Sequence, residues 1–235
     1  MNSYIGSPPP DKAGDILLVV SDQLLPLLVD HHYRAGFALY THSAAYADAA
    51  PTNSSAVYAD QPLSRQLQLI NALVEKRPAS IAIGWQHPHY GRQIAALQRR
   101  YPQLKIVDEQ LAGSDAQRRI NRLIQRNDVL LATPESALYN ARSARGILLA
   151  AYRHNKLLIG PTQSFVNAGA LASVISTPEH YAADIREMIH RYLSSGALPA
   201  PQHPSRYRVV VNHHVAESLG LRLNDSALQQ QMVEP

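Results

Sequence analysis

The chain has 235 residues with a hydrophobic share of 46%, 22 Lys and Arg against 18 Asp and Glu, and no cysteine. That apolar content suits one large domain or two small lobes, and the missing cysteine excludes disulfides and thiolate chemistry. No apolar run approaches the roughly 18 residues that a membrane-spanning helix needs.

Charge is uneven along the chain. Residues 61–177 hold 15 Lys and Arg against 6 Asp and Glu, and the remainder holds 7 against 12. A basic lobe could serve an anionic ligand or nucleic acid. No aromatic interleaving or nucleic-acid motif accompanies Arg99, Arg100, Arg118, Arg119, Arg122 and Arg126, so the plainer reading is favoured: solvated helix faces and no nucleic-acid partner.

Residues 1–14 combine prolines with Gly, Ser, Asp and Lys and read as a disordered tail. They have neither the basic start nor the apolar centre of a signal peptide. Asp15 to Val20 is a continuous apolar run of the kind found in a covered parallel strand. A short helix follows, capped by Ser21 or Asp22, with Pro26 confining it to a first turn. Gly36 to Thr41 reads as a strand, Ser43 to Ala50 as a helix, Ser55 to Ala59 as a strand and Leu63 to Lys76 as a helix.

Strand and helix then alternate: Ser80 to Trp85, His89 to Arg100, Leu104 to Val107 and Asp115 to Gln125. Apolar runs at Val129 to Ala132, Leu157 to Gly160 and Leu171 to Ser176 are strands bounded by Pro, Gly, Ser or Asn, and Arg142 to Asn155 has helical spacing. A helix of that length between strands makes a parallel βαβ crossover. In such sheets ligands bind beyond the carboxyl ends of the strands, which places Thr133 to Ser136 and Pro161 to Ser164 on a rim. Glu179 to Ser194 reads as a long helix closed by Gly196, residues 199–204 as a proline-rich linker, Tyr207 to Val211 as a strand, and residues 224–235 as at most a frayed helix.

The runs LLAAYRHNKLLIGPTQSFVNAGALASVISTPE and ALPAPQHPSRYRVVVNHHVAESLGL, with ADQPLSRQLQLI upstream, resemble the substrate-binding proteins of ABC transporters that include tryptophan- and tyrosine-binding members. The resemblance covers about residues 56–221. It implies a two-lobed α/β fold of the type I periplasmic-binding-protein kind, with doubly wound parallel sheets and a small molecule held between lobes. Here the segment before Gln61-Pro62 is too short for a full first lobe, so the N-terminal lobe is expected to be reduced. The expected domains are residues 15–60 with 178–235 as that lobe, and 61–177 as a complete second lobe.

Candidate ligand-binding residues follow. In the resembled family the loop equivalent to Thr133, Glu135 and Ser136 helps hold the ligand's polar groups, and a carboxylate there suits an ammonium; the plainer reading is a helix cap. Thr162, Ser164 and the turn at Gly169 offer hydroxyls and backbone N–H groups for a carboxylate, or a cap and a positive-φ turn. Trp85 could stack on an aromatic ligand, or pack a loop on the sheet. Ser21 and Asp22 hold the matching rim of the first lobe, with capping again the plainer role.

Eleven histidines form no metal-ligand spacing, and no nucleophile or phosphate-loop motif appears. No cofactor, metal or catalytic activity is therefore expected. The resemblance implies the solute-binding component of an importer, taking a small amino-acid-like ligand and partnered by an ABC permease or a signalling membrane protein. It also implies a periplasmic location, the export signal being absent from this chain. The alternative is a shortened non-transport relative, acting as a sensor or partner-binding module and self-associating as a homodimer.

Overall fold

The computed structural model describes residues 14–29, 32–74 and 79–232. In chain order come β1 (Ile16–Val20), a 3-10 helix (Asp22–Leu28), β2 (Ala35–Thr41), α1 (Ser43–Ala49), β3 (Ser54–Tyr58) and α2 (Leu63–Leu73). Next are β4 (Ser80–Trp85), α3 (Pro88–Arg100), β5 (Lys105–Gln110), α4 (Ala116–Arg126), β6 (Val129–Leu131), α5 (Ala141–Arg153) and β7 (Leu157–Ile159). The chain finishes with α6 (Gln163–Ala168), β8 (Ala172–Ile175), α7 (Pro178–Ser195), β9 (Arg208–Val211), α8 (His213–Ser218) and α9 (Asp225–Gln231).

These elements fall into two compact units: Met1–Asp60 with Ser176–Tyr207, and Gln61–Ile175 with Arg208–Pro235. The first is built on a parallel sheet in the order β1-β2-β3. Alternation along its strands sends Leu17, Val19, Ala38 and Ala56 to one face, where they meet Leu25, Leu28 and Tyr46. Ala35, Phe37 and Val57 go to the other, against Tyr181, Ile185, Met188 and Tyr192 of α7. Two covered faces explain why β1 and β2 are nearly continuous apolar runs. Asp184, 1% exposed, accepts hydrogen bonds from the Ser205 N–H and hydroxyl at 2.7 Å and pairs with Arg206, which fastens the segment after α7 to that helix.

The second unit carries a six-stranded sheet in the order β5-β4-β6-β7-β8-β9, parallel except for β9. Helix α4 buries Ile120, Leu123 and Ile124 against Leu130, Ile147, Leu158 and Phe165. Asn140 begins α5 with a reciprocal capping box, its side chain accepting from the N–H groups of Arg142 and Ser143 while Ser143 accepts from Asn140 N–H.

The structure corrects the sequence reading at several points. Residues 208–232 join the second unit rather than the reduced lobe, because β9 pairs antiparallel with β8 and Gln229 Oε1 accepts from Val209 N–H at 3.2 Å. The segment read as a linker pairs too: Gln202 bridges to Val57 on the outer edge of β3, its N–H donating to the Ala56 carbonyl and its carbonyl accepting from the Tyr58 N–H, both at 2.9 Å. Pro26 does not stop the 3-10 helix at its first turn. The turn expected after β7 contains a helix, α6, with Thr162 as its cap. The tail assigned to residues 1–14 falls, apart from Gly14, outside the described residues.

Candidate functional site

In the second unit the chain passes from β4 to β5 on one side and then to β6 on the other. The loops leaving the carboxyl ends of β4 and β6 therefore part there, the position at which ligands collect in open α/β sheets. Gln86 and His87 lie on one side of this division, and Thr133 to Ser136 on the other.

Glu135 spans it. Its Oε1 accepts the N–H groups of Gln86 at 3.0 Å and His87 at 2.6 Å, and its Oε2 accepts the Thr133 hydroxyl at 2.6 Å. The carboxylate is only 8% exposed, and Thr133 is fully buried. His87 is the cap of α3, so the negative charge rests at a helix start, where the macrodipole favours it. Glu135 thus holds the two backbone N–H groups just before α3, while His87 caps that helix and Asn140 the one that follows Glu135. Three of its acceptor sites serve the protein, and its role here is to hold the β4 and β6 loops together.

Below it, Tyr139 donates to the Gly84 carbonyl at 3.2 Å. Burial, reinforced by the Glu135 charge, pushes the Tyr139 phenol well above its ordinary value. Gly84 is required here, since a Cβ would sit 2.6 Å from Leu111 and 3.0 Å from the Tyr139 hydroxyl.

Trp85 is seated on its own unit. Its indole N–H donates to Asp108 Oδ2 at 2.8 Å, and Asp108 Oδ1 accepts from Gln98 at 2.9 Å. The ring covers Gly91 of α3, where a Cβ would come within 2.6 Å of it. The half-buried ring is thus held at the rim by contacts to α3 and β5.

The other residues of this rim divide by role. The Thr162 hydroxyl accepts from Phe165 N–H at 3.3 Å as the cap of α6. Gly169, at φ 126°, ends the same helix, in a conformation that favours glycine. Ser136 and Ser164 are exposed, and the Ser136 carbonyl accepts from Asn140 at 2.8 Å.

The first unit has a rim of its own. Ser21, at φ 115° and ψ 157°, occupies backbone space nearly reserved for glycine, held by its N–H to Leu39 O at 3.0 Å. Its side chain makes no capping bond. Asp22 grips His42 twice, from the backbone N–H and from Nδ1, both at 2.7 Å. Asp60, after β3, is 5% exposed and accepts both the N–H and the hydroxyl of Ser43 at 2.7 Å. Tyr40, at φ 59°, lies on Tyr181 with ring centroids 4.3 Å apart. Tyr40, His42 and Asp60 were missed in the sequence. Their signal was available, since each stands at the carboxyl end of a strand. A depression of about 510 Å³ along α7, lined by Arg186, Glu187, His190, Arg191 and Ser194, shares no residue with either rim.

No protein-family model matches the chain, and no curated protein matches it by sequence. Solved structures do. A ligand-free, open substrate binding protein with adhesive properties from Clostridium difficile has a TM-score of 0.69 at 17% identity, covering 89% of this chain and 75% of its own. An ABC domain in complex with L-Trp from Streptococcus pneumonia gives 0.65 at 17%, covering 92% and 77%. A conserved domain protein from Vibrio cholerae gives 0.64 at 18%, with the same coverages. The chain has the α/β fold of the two-lobed type I periplasmic substrate-binding proteins.

Proposed function

We propose that the protein is the solute-binding component of an ABC-type importer and recognises a small amino-acid-like molecule. The observation that carries this is the chemistry of the rims, where short polar side chains and carboxylates stand at the carboxyl ends of parallel strands on a fold that solved substrate-binding proteins share. Asp22, Ser136 and Ser164 supply polar groups within reach of solvent, and Trp85 an aromatic surface. Thr133, Glu135, Thr162 and Gly169 shape the loops that carry them. Ser21 supplies a strained backbone at the end of β1. The protein works without catalysis, alongside a membrane permease and outside the cytoplasm.

Calorimetry and thermal shift against the amino acids test this reading, since a ligand that binds only the native state raises the melting temperature. Saturable heat with an amino acid, weakened in Asp22→Ala and Ser164→Ala, supports it. No heat and no shift with any of them ends it.

A second reading, a shortened relative that binds a partner or a second copy, draws on the first unit. Among the described residues its sheet has three strands, no strand covers the outer edge of β1, and Val20, Leu24 and Val29 are 47%, 41% and 43% exposed. Sedimentation distinguishes it: a dimer dispersed by Leu24→Asp favours this reading, and a monomer at high concentration removes it.

A further inference from the structure

Helices α4 and α5 pack side by side in the second unit, and neither contains an Asp or Glu. Together they expose Arg118, Arg122, Arg126, Arg142, Arg145 and Arg153. Among the described residues none of these six meets an acidic partner, whereas the seventh arginine, Arg119, donates to Glu109 at 2.6 Å. Two of the acids bordering the face are engaged, Glu109 by Arg119 and Asp128 by Ser80 and Lys156; Asp115 stands at the start of α4. Six like charges repel one another unless something anionic covers them.

Their spacing is regular. Arg118, Arg122 and Arg126 recur every fourth residue along about 12 Å of α4, and residues 142–153 run beside them over about 16 Å. On α5 the cations alternate with apolar groups that face water: Leu149 is 43% exposed and Tyr152 66%. Arg145, Leu149, Tyr152 and Arg153 follow one another at i, i+4, i+7 and i+8, and so share one side of the helix.

We infer that the α4–α5 face docks on an anionic lipid surface, the arginines meeting headgroup phosphates while Leu149 and Tyr152 enter the interface between them. Paired helices lying over a sheet offer a broad, shallow contact, which matches a bilayer better than a groove. Arginine suits phosphate through its planar fork of donors, and tyrosine partitions to headgroup depth with its ring buried and its hydroxyl wet. An exposed leucine among the arginines gains from acyl chains and nothing from a phosphodiester backbone, which favours lipid over nucleic acid.

The test is co-sedimentation of the full chain with vesicles of phosphatidylglycerol and phosphatidylcholine in equal parts and with phosphatidylcholine alone, beside titrations with single-stranded and duplex DNA. Selective binding to the anionic vesicles, fading with added salt, is expected. Each arginine near such a surface contributes about fivefold, so R118Q/R122Q/R142Q/R145Q should lose several-hundredfold. The L149A/Y152A pair should lose roughly five- to tenfold. All these positions are exposed, and circular dichroism identical to wild type checks that both variants stay folded. Equal binding to both vesicles, an unchanged arginine variant, or DNA binding through these arginines without vesicle binding overturns the inference. An unchanged L149A/Y152A variant does so as well, because it leaves nothing to distinguish a membrane from any other polyanion.

Discussion

Glu135 Oε1 accepts the backbone N–H of His87 at 2.6 Å, joining the loop after β6 to the start of α3 across the division of the second sheet. The same oxygen takes the Gln86 N–H and the partner oxygen the Thr133 hydroxyl. Glu135→Ala removes the acceptor of the exposed Gln86 and half-buried His87 N–H groups, which water can partly serve, and leaves the buried Thr133 hydroxyl only its 3.4 Å contact to the Gly84 carbonyl. A buried donor poorly paired costs about 1 to 3 kcal/mol. The expected outcome is a fall in the urea midpoint at unchanged m-value, with Glu135→Gln closer to wild type because it retains one carbonyl acceptor. A Glu135→Ala variant as stable as wild type would show that solvent replaces the brace.

Gly91→Ala places a methyl group 2.6 Å from the Trp85 ring, with ring atoms rather than a flexible tip in its way. The ring must tilt or the helix must shift, at about 1 to 3 kcal/mol for an overpacked contact. Trp85 is the chain's one tryptophan, so its emission reports the change without interference. A shifted spectrum and a lower melting temperature are expected. Asp108→Asn, which preserves an acceptor for the indole N–H, should leave the spectrum near that of wild type.

Burial pushes the Tyr58 phenol up to about 12, with the Tyr46 and Asp60 charges adding to it. The unfolded chain loses this proton near pH 10 and the native state retains it, so the native state binds more protons above pH 10 and its stability falls as pH rises toward 12. Tyr58→Phe should flatten that part of the alkaline stability profile. Melting temperatures collected from pH 9 to 11.5 on both proteins measure it, and parallel profiles would remove Tyr58 as the cause.

Asp128 behaves in the opposite sense. Hydrogen bonds from the Ser80 N–H and hydroxyl, at 2.8 and 2.7 Å, hold its carboxyl below the ordinary range, with help from the Lys156 and Lys105 charges. Its contribution is present above the unfolded value of about 4 and is lost as pH falls through the lower folded value. The side chain is 57% exposed, so solvent screens the effect and it stays modest. Asp128→Asn should therefore lower the melting temperature at pH 7, with the difference from wild type shrinking as the pH falls below the ordinary carboxylate value and through the lowered folded one.

Much of the fold was legible because its signals are local. Continuous apolar runs such as Ile16–Val20 and Val129–Leu131 belong to strands covered on both faces, and the run of βα units before β7 demands parallel crossovers. The Gln61-Pro62 start of α2 and the Gly196 end of α7 were readable from backbone chemistry alone. Residues 208–211 show the limit. Their alternation marks a strand in any context, but only the pairing of Val209 with Val174 assigns it to the second unit.

The site divides in the same way. Residue types and their place at strand ends marked the two candidate rims, because the loops that leave the carboxyl ends of parallel strands border the space beyond the sheet. What each group does there was decided by tertiary structure. Glu135 reads as a carboxylate for a ligand ammonium or as a local cap until Gln86 and His87, 49 and 48 residues away, occupy it. Asp22 reads as a local cap until His42 takes both of its oxygens. Hydrogen bonds between residues so far apart leave no periodicity in the chain, since they depend on which strands become neighbours, and that order is a property of the folded sheet.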